Sequence, residues 1–184
     1  AGLSRGDGIE GEDITENIKT IKDIPKQIKS NDFPNEIDIR GEVFISKNDF
    51  KKINEKFANA RNAASGSLRQ KNPEETKKIP LKFIAYTFGY IEEQKSKTQS
   101  DFLLNLKKWG FKTSKFNKKI KGIKNLVQYH KKFEEIRFDL DYDVDGIVYW
   151  YSPTKNISGY QNVSLSVDLY ESGTLYANDY IKVA

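Results

Sequence analysis

Three stretches with strand patterns constrain the fold of this chain more than any other feature. Residues 37–45 alternate between apolar and charged side chains, so one face is apolar and the other polar. Residues 81–90 read LKFIAYTFGY, which is rich in residues favoured in strands, and residues 145–151 read DGIVYWY after an Asp-Gly step. Because segments with helical spacing separate these stretches, the order of elements predicts an α+β fold with an antiparallel or mixed sheet.

Capping residues and apolar spacing indicate the helices. Isoleucines in residues 14–21 recur at helical spacing and predict a helix of about 12 residues that Pro25 ends. Ser46 and Thr98 each precede an aspartate by three residues, a pattern typical of a helix start. Gly110 is expected to end the second of these helices.

The last part of the chain changes in character. The basic run 115–124 is expected to be a solvated loop, and apolar spacing in residues 123–133 predicts a further helix. After residue 150, Ser, Thr, Gly, Asn and Val dominate and lysine becomes rare, as in segments of short strands and turns. We therefore expect a domain boundary near residue 150, with one domain over 1–150 and part of a second, β-rich domain over 151–184.

Composition excludes several classes of site. The chain has no cysteine, which excludes disulfides and cysteine-based zinc sites in this segment, and its one histidine, His130, is expected at the surface; no metal site made by protein ligands is predicted. No apolar run approaches the roughly 18 residues of a membrane span. The first residues resemble neither a signal peptide nor a start at Met, so we expect a chain that begins in mid-domain and a cytoplasmic location. The net charge of +5 fits a nucleic-acid partner, although an AT-rich genome would also raise the lysine content.

The segment 57–70 has the most informative residue pattern. It reads FANARNAASGSLRQ, in which small residues permit close backbone approach and Arg61 and Arg69 can each offer a guanidinium fork to phosphate oxygens. A structural interpretation is equally open, namely a tightly packed helix with two surface arginines.

Three other residues also have both a functional and a structural interpretation. Glu42, on the polar face of its strand, could accept hydrogen bonds from a ribose or could simply be exposed or ion-paired. Asp145 could belong to a site or to a hairpin turn, and Arg137 would by itself be a surface arginine that ends a helix.

Taken together and in this order, the motifs resemble the adenylation domain of bacterial-type NAD-dependent DNA ligases, over about residues 1–150. The motifs are Arg-Gly-Asp-Gly (5–8), Gly-Glu-Asp-Ile-Thr-Glu-Asn (11–17), Arg-Gly-Glu-Val-Phe (40–44), the 57–70 segment, Phe-Ile-Ala-Tyr (83–86), Thr-Gln-Ser (98–100), Trp-Gly-Phe (109–111) and Asp-Gly-Ile-Val (145–148). The tail is a weaker match to the family's oligonucleotide-binding (OB) barrel, at 153–157 and 174–181.

This resemblance implies a fold, an activity and a set of residues. The fold is the nucleotidyltransferase fold of ligase adenylation domains, related to ATP-grasp, followed by a partial all-β OB-fold segment. The implied enzyme takes adenylate from NAD onto a lysine, passes it to the 5′-phosphate of a nick in duplex DNA and seals the nick with Mg²⁺, in DNA replication and repair. We expect it to be a monomer with no membrane partner. The implied catalytic residues are Glu42 and Asp145, which we expect on neighbouring strands that face one groove. The residues implied to bind NAD or phosphate groups are Arg5, Glu42, Arg61, Arg69 and Arg137.

Departures from the family pattern lead to a second hypothesis. The family's nucleophilic lysine lies in a Lys-x-Asp-Gly motif, which these 184 residues do not contain. Trp150 stands where the strand motif has a phosphate-binding lysine, and a further lysine-bearing stretch between that strand and the barrel is missing. Since no other group replaces the amine, we expect this polypeptide alone to be inactive. The alternatives are a catalytically inactive nucleotide- or DNA-binding remnant of a ligase and, much less favoured, an unrelated basic RNA-binding module.

Overall fold

The computed structural model describes residues 1–7 and 10–151 and the backbone of a strand at 164–170. Within these residues the helices and strands are α1 (Thr15–Ile18), β1 (Ile37–Phe44), α2 (Lys47–Phe50), α3 (Ala60–Leu68), α4 (Pro73–Lys77), β2 (Lys82–Ile91), α5 (Gln99–Lys108), β3 (Lys118–Lys121), α6 (Ile123–Ile136), β4 (Gly146–Tyr151) and β5 (Ser164–Tyr170), with 3₁₀ turns at Asn54–Lys56 and Arg137–Asp139. This mixture of helices and strands confirms the α+β prediction, and it is consistent with an adenylation domain. No helix in the described ranges is long and apolar enough to cross a membrane.

The first sheet consists of β1 and β2, two of the predicted strands. They pair antiparallel, with Gly41 opposite Ala85 and Glu42 opposite Ile84, and the register shifts between Arg40 and Gly41. Helices α3 and α5 pack on this sheet. The main core forms between them because the alternating apolar residues of the strands meet the apolar faces of the helices. Its fully buried members include Ala63, Ala85, Phe102 and Leu106.

The second sheet has the order β3-β5-β4, and both pairings are antiparallel. The predicted strand at 145–151 is confirmed as β4. The prediction of a solvated loop at 115–124 is wrong, because residues 118–121 form β3. There Ile120 is buried between exposed lysines, and the backbone pairs with β5. Four residues with one apolar position are too short for periodicity to reveal a strand. The predicted barrel segments at 153–157 and 174–181 lie outside the described residues.

The predicted helix caps are confirmed. The Ser46 side chain accepts a hydrogen bond from the Asp49 backbone, and Thr98 and Asp101 form a reciprocal capping box. Gly110 ends α5 with φ of +91°, a backbone conformation that glycine adopts without steric cost.

The first helix is much shorter than predicted. Only Thr15–Ile18 is helical, and turns replace the remainder of the 12 residues expected. The Thr20 hydroxyl donates to the Asn17 carbonyl at 2.7 Å, so a local side-chain bond competes with the next turn of helix.

Helix α6 packs on the second sheet through Leu126 and Phe133, which confirms the predicted helix. The prediction of a plain surface role for His130 is wrong, because its Nδ1 hydrogen-bonds the Tyr149 hydroxyl of β4 and the two rings stack. A single histidine among charged residues gives no sequence signal for such a partner 19 residues away.

Candidate nucleotide and phosphate site

Arg5 lies in an N-terminal hairpin, in which Leu3 and Asp13 form an antiparallel bridge. Ser4 and Glu12 hold its two arms together: the Ser4 N–H donates to the Glu12 carbonyl, and the Glu12 N–H donates to the Ser4 hydroxyl, each at 2.9 Å. A turn follows Arg5, with Gly6 at φ of +54° and the Glu10 N–H donating to the Asp7 carboxylate at 2.8 Å. Arg5 is therefore presented from a tight turn.

Glu42 lies on β1, next to a glycine that the packing requires. A Cβ at Gly41 would lie 2.2 Å from the Phe83 Cζ atom and 2.5 Å from the Ile84 carbonyl oxygen, so no larger residue fits without a shift. The absence of a side chain at Gly41 thus lets β1 approach β2 where it presents Glu42.

Glu42 is half-buried, and its ionisation is controlled by its surroundings. Burial raises the pKa of Glu42 to about 7; the positive charges of Arg61 and Arg5 oppose this rise, and the negative charge of Asp145 adds to it. Three residues distant in sequence therefore lie close enough to act on one carboxyl group. This convergence is the main geometric feature of the site.

The relation of Glu42 to Asp145 differs in one respect from the sequence prediction. We expected neighbouring strands of one sheet, but β1 pairs with β2, whereas Asp145 directly precedes β4 in the second sheet. The order of strands in a sequence does not specify their partners, and no sequence pattern indicated β3. The expectation that both carboxyl groups face one region agrees with the effect of Asp145 on the pKa of Glu42.

Helix α3 confirms the structural interpretation of the 57–70 segment, a packed helix with two surface arginines, and phosphate binding by these arginines stays a prediction. The Asn59 side chain caps its start by accepting from the Asn62 N–H at 2.7 Å, and Ala63, Ala64 and Ser67 are buried on its inner face. The outer face carries Arg61, whose charge reaches Glu42. The small residues thus serve packing, while the arginine remains exposed to solvent.

Arg69 lies just beyond the other end of α3. Its Nε donates to the Glu12 carboxylate at 2.8 Å, and both side chains are 60% exposed. Arg69 and the hairpin residues line an open cleft of about 380 Å³. Eight residues of helix separate the two arginines by roughly 12 Å along the axis. In the structure, therefore, Arg61 interacts with Glu42 and Arg69 with the hairpin.

Comparison with known proteins identifies the family to which this arrangement belongs. A family model described as the NAD-dependent DNA ligase adenylation domain matches residues 1–158. The chain belongs to the NAD-dependent DNA ligase family.

Relatives named DNA ligase show how much of the protein is represented. That of Pelagibacter ubique (strain HTCC1062) is 69% identical over 148 residues, which cover 80% of this chain and 22% of the relative. That of Bradyrhizobium diazoefficiens is 41% identical over 154 residues, 79% of this chain and 22% of the relative. That of Gluconobacter oxydans is 44% identical over 156 residues, 80% of this chain and 23% of the relative. The chain thus spans less than a quarter of the length of these ligases.

Arg137 is placed apart from the other residues that the ligase motifs indicate. It lies in the 3₁₀ turn after α6, half-buried, with its guanidinium 5.3 Å from the centre of the exposed Phe138 ring. It is not among the charges found to act on Glu42. The structure therefore joins Arg5, Arg61 and Asp145 to Glu42 but does not join Arg137 to them.

Trp150 occupies the end of β4, at the position where the ligase strand motif has a lysine. Its indole N–H is buried, and no described residue accepts a hydrogen bond from it. A neutral indole cannot supply the positive charge of a lysine to a phosphate. This position therefore carries no positive charge.

Sequence reasoning missed a group of buried polar residues around the end of α3. Asn17, Ser67 and Thr76 are all buried and hydrogen-bonded to one another or to neighbouring backbone. Asn17 lies among isoleucines at helical spacing, and a polar residue at an apolar position was the available signal.

Proposed function

We propose that this chain carries part of the adenylate-transfer site of an NAD-dependent DNA ligase, which seals nicks in duplex DNA by moving adenylate from NAD to a 5′-phosphate. The proposal is carried by one observation: a half-buried Glu42 on which two arginines and Asp145 act. Nicked duplex DNA and NAD are the proposed partners. The enzyme is proposed to act as a monomer in the cytoplasm.

The chemistry of these side chains fits an adenylate. A carboxyl group with a pKa of about 7 can donate to or accept from a ribose hydroxyl, and the ribose contact is assigned to Glu42. Guanidinium forks match phosphate oxygens, which we assign to Arg5 and Arg61 near Glu42 and to Arg69 at the cleft. Arg137 is assigned to phosphate on the family motif alone.

Mg²⁺ is the second proposed cofactor. This ion is commonly bound by one or two carboxylates together with substrate phosphates. Asp145 lies near enough to act on Glu42, and the described residues hold no larger cluster of metal-ligating side chains, so the substrate phosphates would supply most of the ligands. Bound there with phosphates, it would neutralise charge that develops during transfer. The roles of the two acids in catalysis are part of this proposal.

Residues 151–184 are proposed to begin the OB-fold domain. The change in composition after residue 150 supports this assignment. Two observations favour a boundary later than residue 151 within this segment: the family match reaches residue 158, and β5 pairs with β3 and β4.

The 184-residue polypeptide is further proposed to form no covalent adenylate. That step requires an amine whose nitrogen attacks the α-phosphate while the bond to nicotinamide mononucleotide breaks. The Lys-x-Asp-Gly motif is not among these residues, and Trp150 replaces a phosphate-binding lysine. The same two features support the second candidate, a binding remnant without catalysis.

NAD labelled in its adenylate group tests both parts of the proposal. Equilibrium dialysis should show retention of the label that falls at least tenfold in Arg61→Ala, because a charge-assisted hydrogen bond is worth about 1.5–3 kcal/mol. Arg40→Ala is the matched control and should retain NAD. It removes an exposed arginine of β1. No label should remain after denaturation.

Two results would contradict this account. Label that survives denaturation would mean that a lysine within these residues is the nucleophile. Equal retention by the Arg61 and Arg40 variants would place NAD outside the Glu42 site.

A further inference from the structure

A buried polar network joins α1, α4 and the end of α3. The Asn17 side-chain amide donates to the Gln70 carbonyl at 2.9 Å and to the Thr76 hydroxyl at 2.7 Å. The Thr76 hydroxyl in turn donates to the Ser67 carbonyl at 2.7 Å. Asn17 is 7% exposed, Thr76 is not exposed, and Ser67 is 1% exposed.

The two carbonyls in this network lie on either side of Arg69. The last carbonyls of a helix have no partner within the helix and need one from elsewhere. The Ser67 carbonyl accepts from the Thr76 hydroxyl in addition to the Gln70 N–H at 3.4 Å, and the Gln70 carbonyl, just past the helix, accepts from Asn17. The network therefore fixes the backbone immediately before and after Arg69.

The side chain of Arg69 is held by the same N-terminal segment. Glu12, five residues before Asn17, accepts from its Nε at 2.8 Å. An exposed ion pair of this kind contributes little by itself, at most about 1 kcal/mol, because water screens it and two long side chains must be ordered. The buried hydrogen bonds are the stronger constraint, since their donors cannot turn to water without loss.

We propose that Asn17 and Thr76 are positioning residues for Arg69. They hold the end of α3 so that the guanidinium stands at the rim of the hairpin cleft, ready to bind a phosphate of DNA. Two residues of the 11–17 motif thereby act on Arg69. Asn17 holds the backbone next to it, and Glu12 holds its guanidinium. The DNA part of the inference rests on the proposed function; the positioning part does not.

The decisive variant is Thr76→Val, which keeps the side-chain shape but removes the hydroxyl. Thr76→Ser keeps the hydroxyl and is the conservative variant, which should behave like the unmodified chain. Thr113→Val is the matched control, because it removes a buried hydroxyl to which no described residue is hydrogen-bonded. All three are made in the 184-residue chain.

The first readout is the order of the Arg69 Nε–Hε group, measured by ¹⁵N relaxation and assigned from its loss in Arg69→Ala. We expect it to be ordered in the unmodified chain and in the Thr76→Ser and Thr113→Val variants, and mobile in Thr76→Val. An Arg69 signal that is equally ordered in Thr76→Val would overturn the positioning role.

The second readout is affinity for a nicked duplex at low salt. Arg69→Ala should weaken binding about tenfold or more, and Thr76→Val should lose a large part of the same factor. Added to Arg69→Ala, Thr76→Val should change affinity less than twofold. Equal effects of Thr76→Val with and without Arg69 would contradict positioning. Two results together would separate the roles: normal DNA affinity in Arg69→Ala and a mobile Arg69 in Thr76→Val. The first would reject the proposed phosphate role, and the second would support the positioning role.

Discussion

Glu42 shows what single residues of this chain reveal and what they conceal. The alternating pattern around it correctly predicted a strand and its polar face, and the family motif singled it out. Its partial burial and its partners could not be predicted, because they come from residues 5, 61 and 145, which only the folded chain brings near. A local pattern specifies which way a side chain faces, but not what faces it.

The raised pKa of Glu42 predicts a specific dependence of stability on pH. The ordinary pKa of 4.5 applies to the unfolded chain and about 7 to the folded one, so between these values the folded protein retains a proton that the unfolded chain has lost. This stabilisation is complete below about pH 4.5 and is lost as pH rises through 7. Relative to Glu42→Gln, the unmodified chain should lose about 3 kcal/mol of unfolding free energy between pH 4.5 and pH 8.

Denaturant unfolding across that pH range measures this difference. Glu36→Gln, at an exposed position just before β1, controls for the change from carboxylate to amide. If Glu42→Gln and the unmodified chain show the same pH profile, the carboxyl is not desolvated in the folded protein.

Among the elements, those with a local signature were predicted and those that depend on partners were not. The caps at Ser46 and Thr98 were predicted because they are formed by neighbouring residues. Strand β3 was missed because it exists through pairing with β5. The first helix was predicted too long because isoleucine spacing carries no information about the competing Thr20 hydroxyl.

Two glycine substitutions should have opposite effects on stability. Gly41→Ala places a methyl group against the Phe83 ring and the Ile84 carbonyl, so unfolding should become easier by about 2 kcal/mol. Gly66→Ala, on the open face of α3, meets nothing within 4 Å and should stabilise the chain by about 0.5–1 kcal/mol. Chemical denaturation compares them directly; a shift of the same sign in both would mean that β1 and β2 are not packed as closely as described.

At the scale of the whole molecule, the motifs identified the family, and the fold assembles most of the motif residues into one region. β1 contributes Glu42. The residues that act on it are Arg5 of the hairpin, Arg61 of α3 and Asp145 at the start of β4. The family match over residues 1–158 confirms the resemblance to NAD-dependent DNA ligases. Because the chain corresponds to 22–23% of the length of its relatives, ligation by the whole protein remains a proposal.

Arg61 on α3 and Arg69 just beyond its end are proposed to bind phosphates specifically, and not only as part of a basic surface. The test compares Arg61→Ala/Arg69→Ala with Lys131→Ala/Lys132→Ala, a double change at exposed lysines of α6; each pair lowers the net charge of +5 by two.

Binding to a nicked duplex is measured over a series of salt concentrations. We predict that the arginine pair lowers affinity far more than the lysine pair and reduces the slope of log K against log salt by nearly two units, since each phosphate contact contributes about 0.9. Equal losses of affinity and equal slopes for the two double variants would contradict the account.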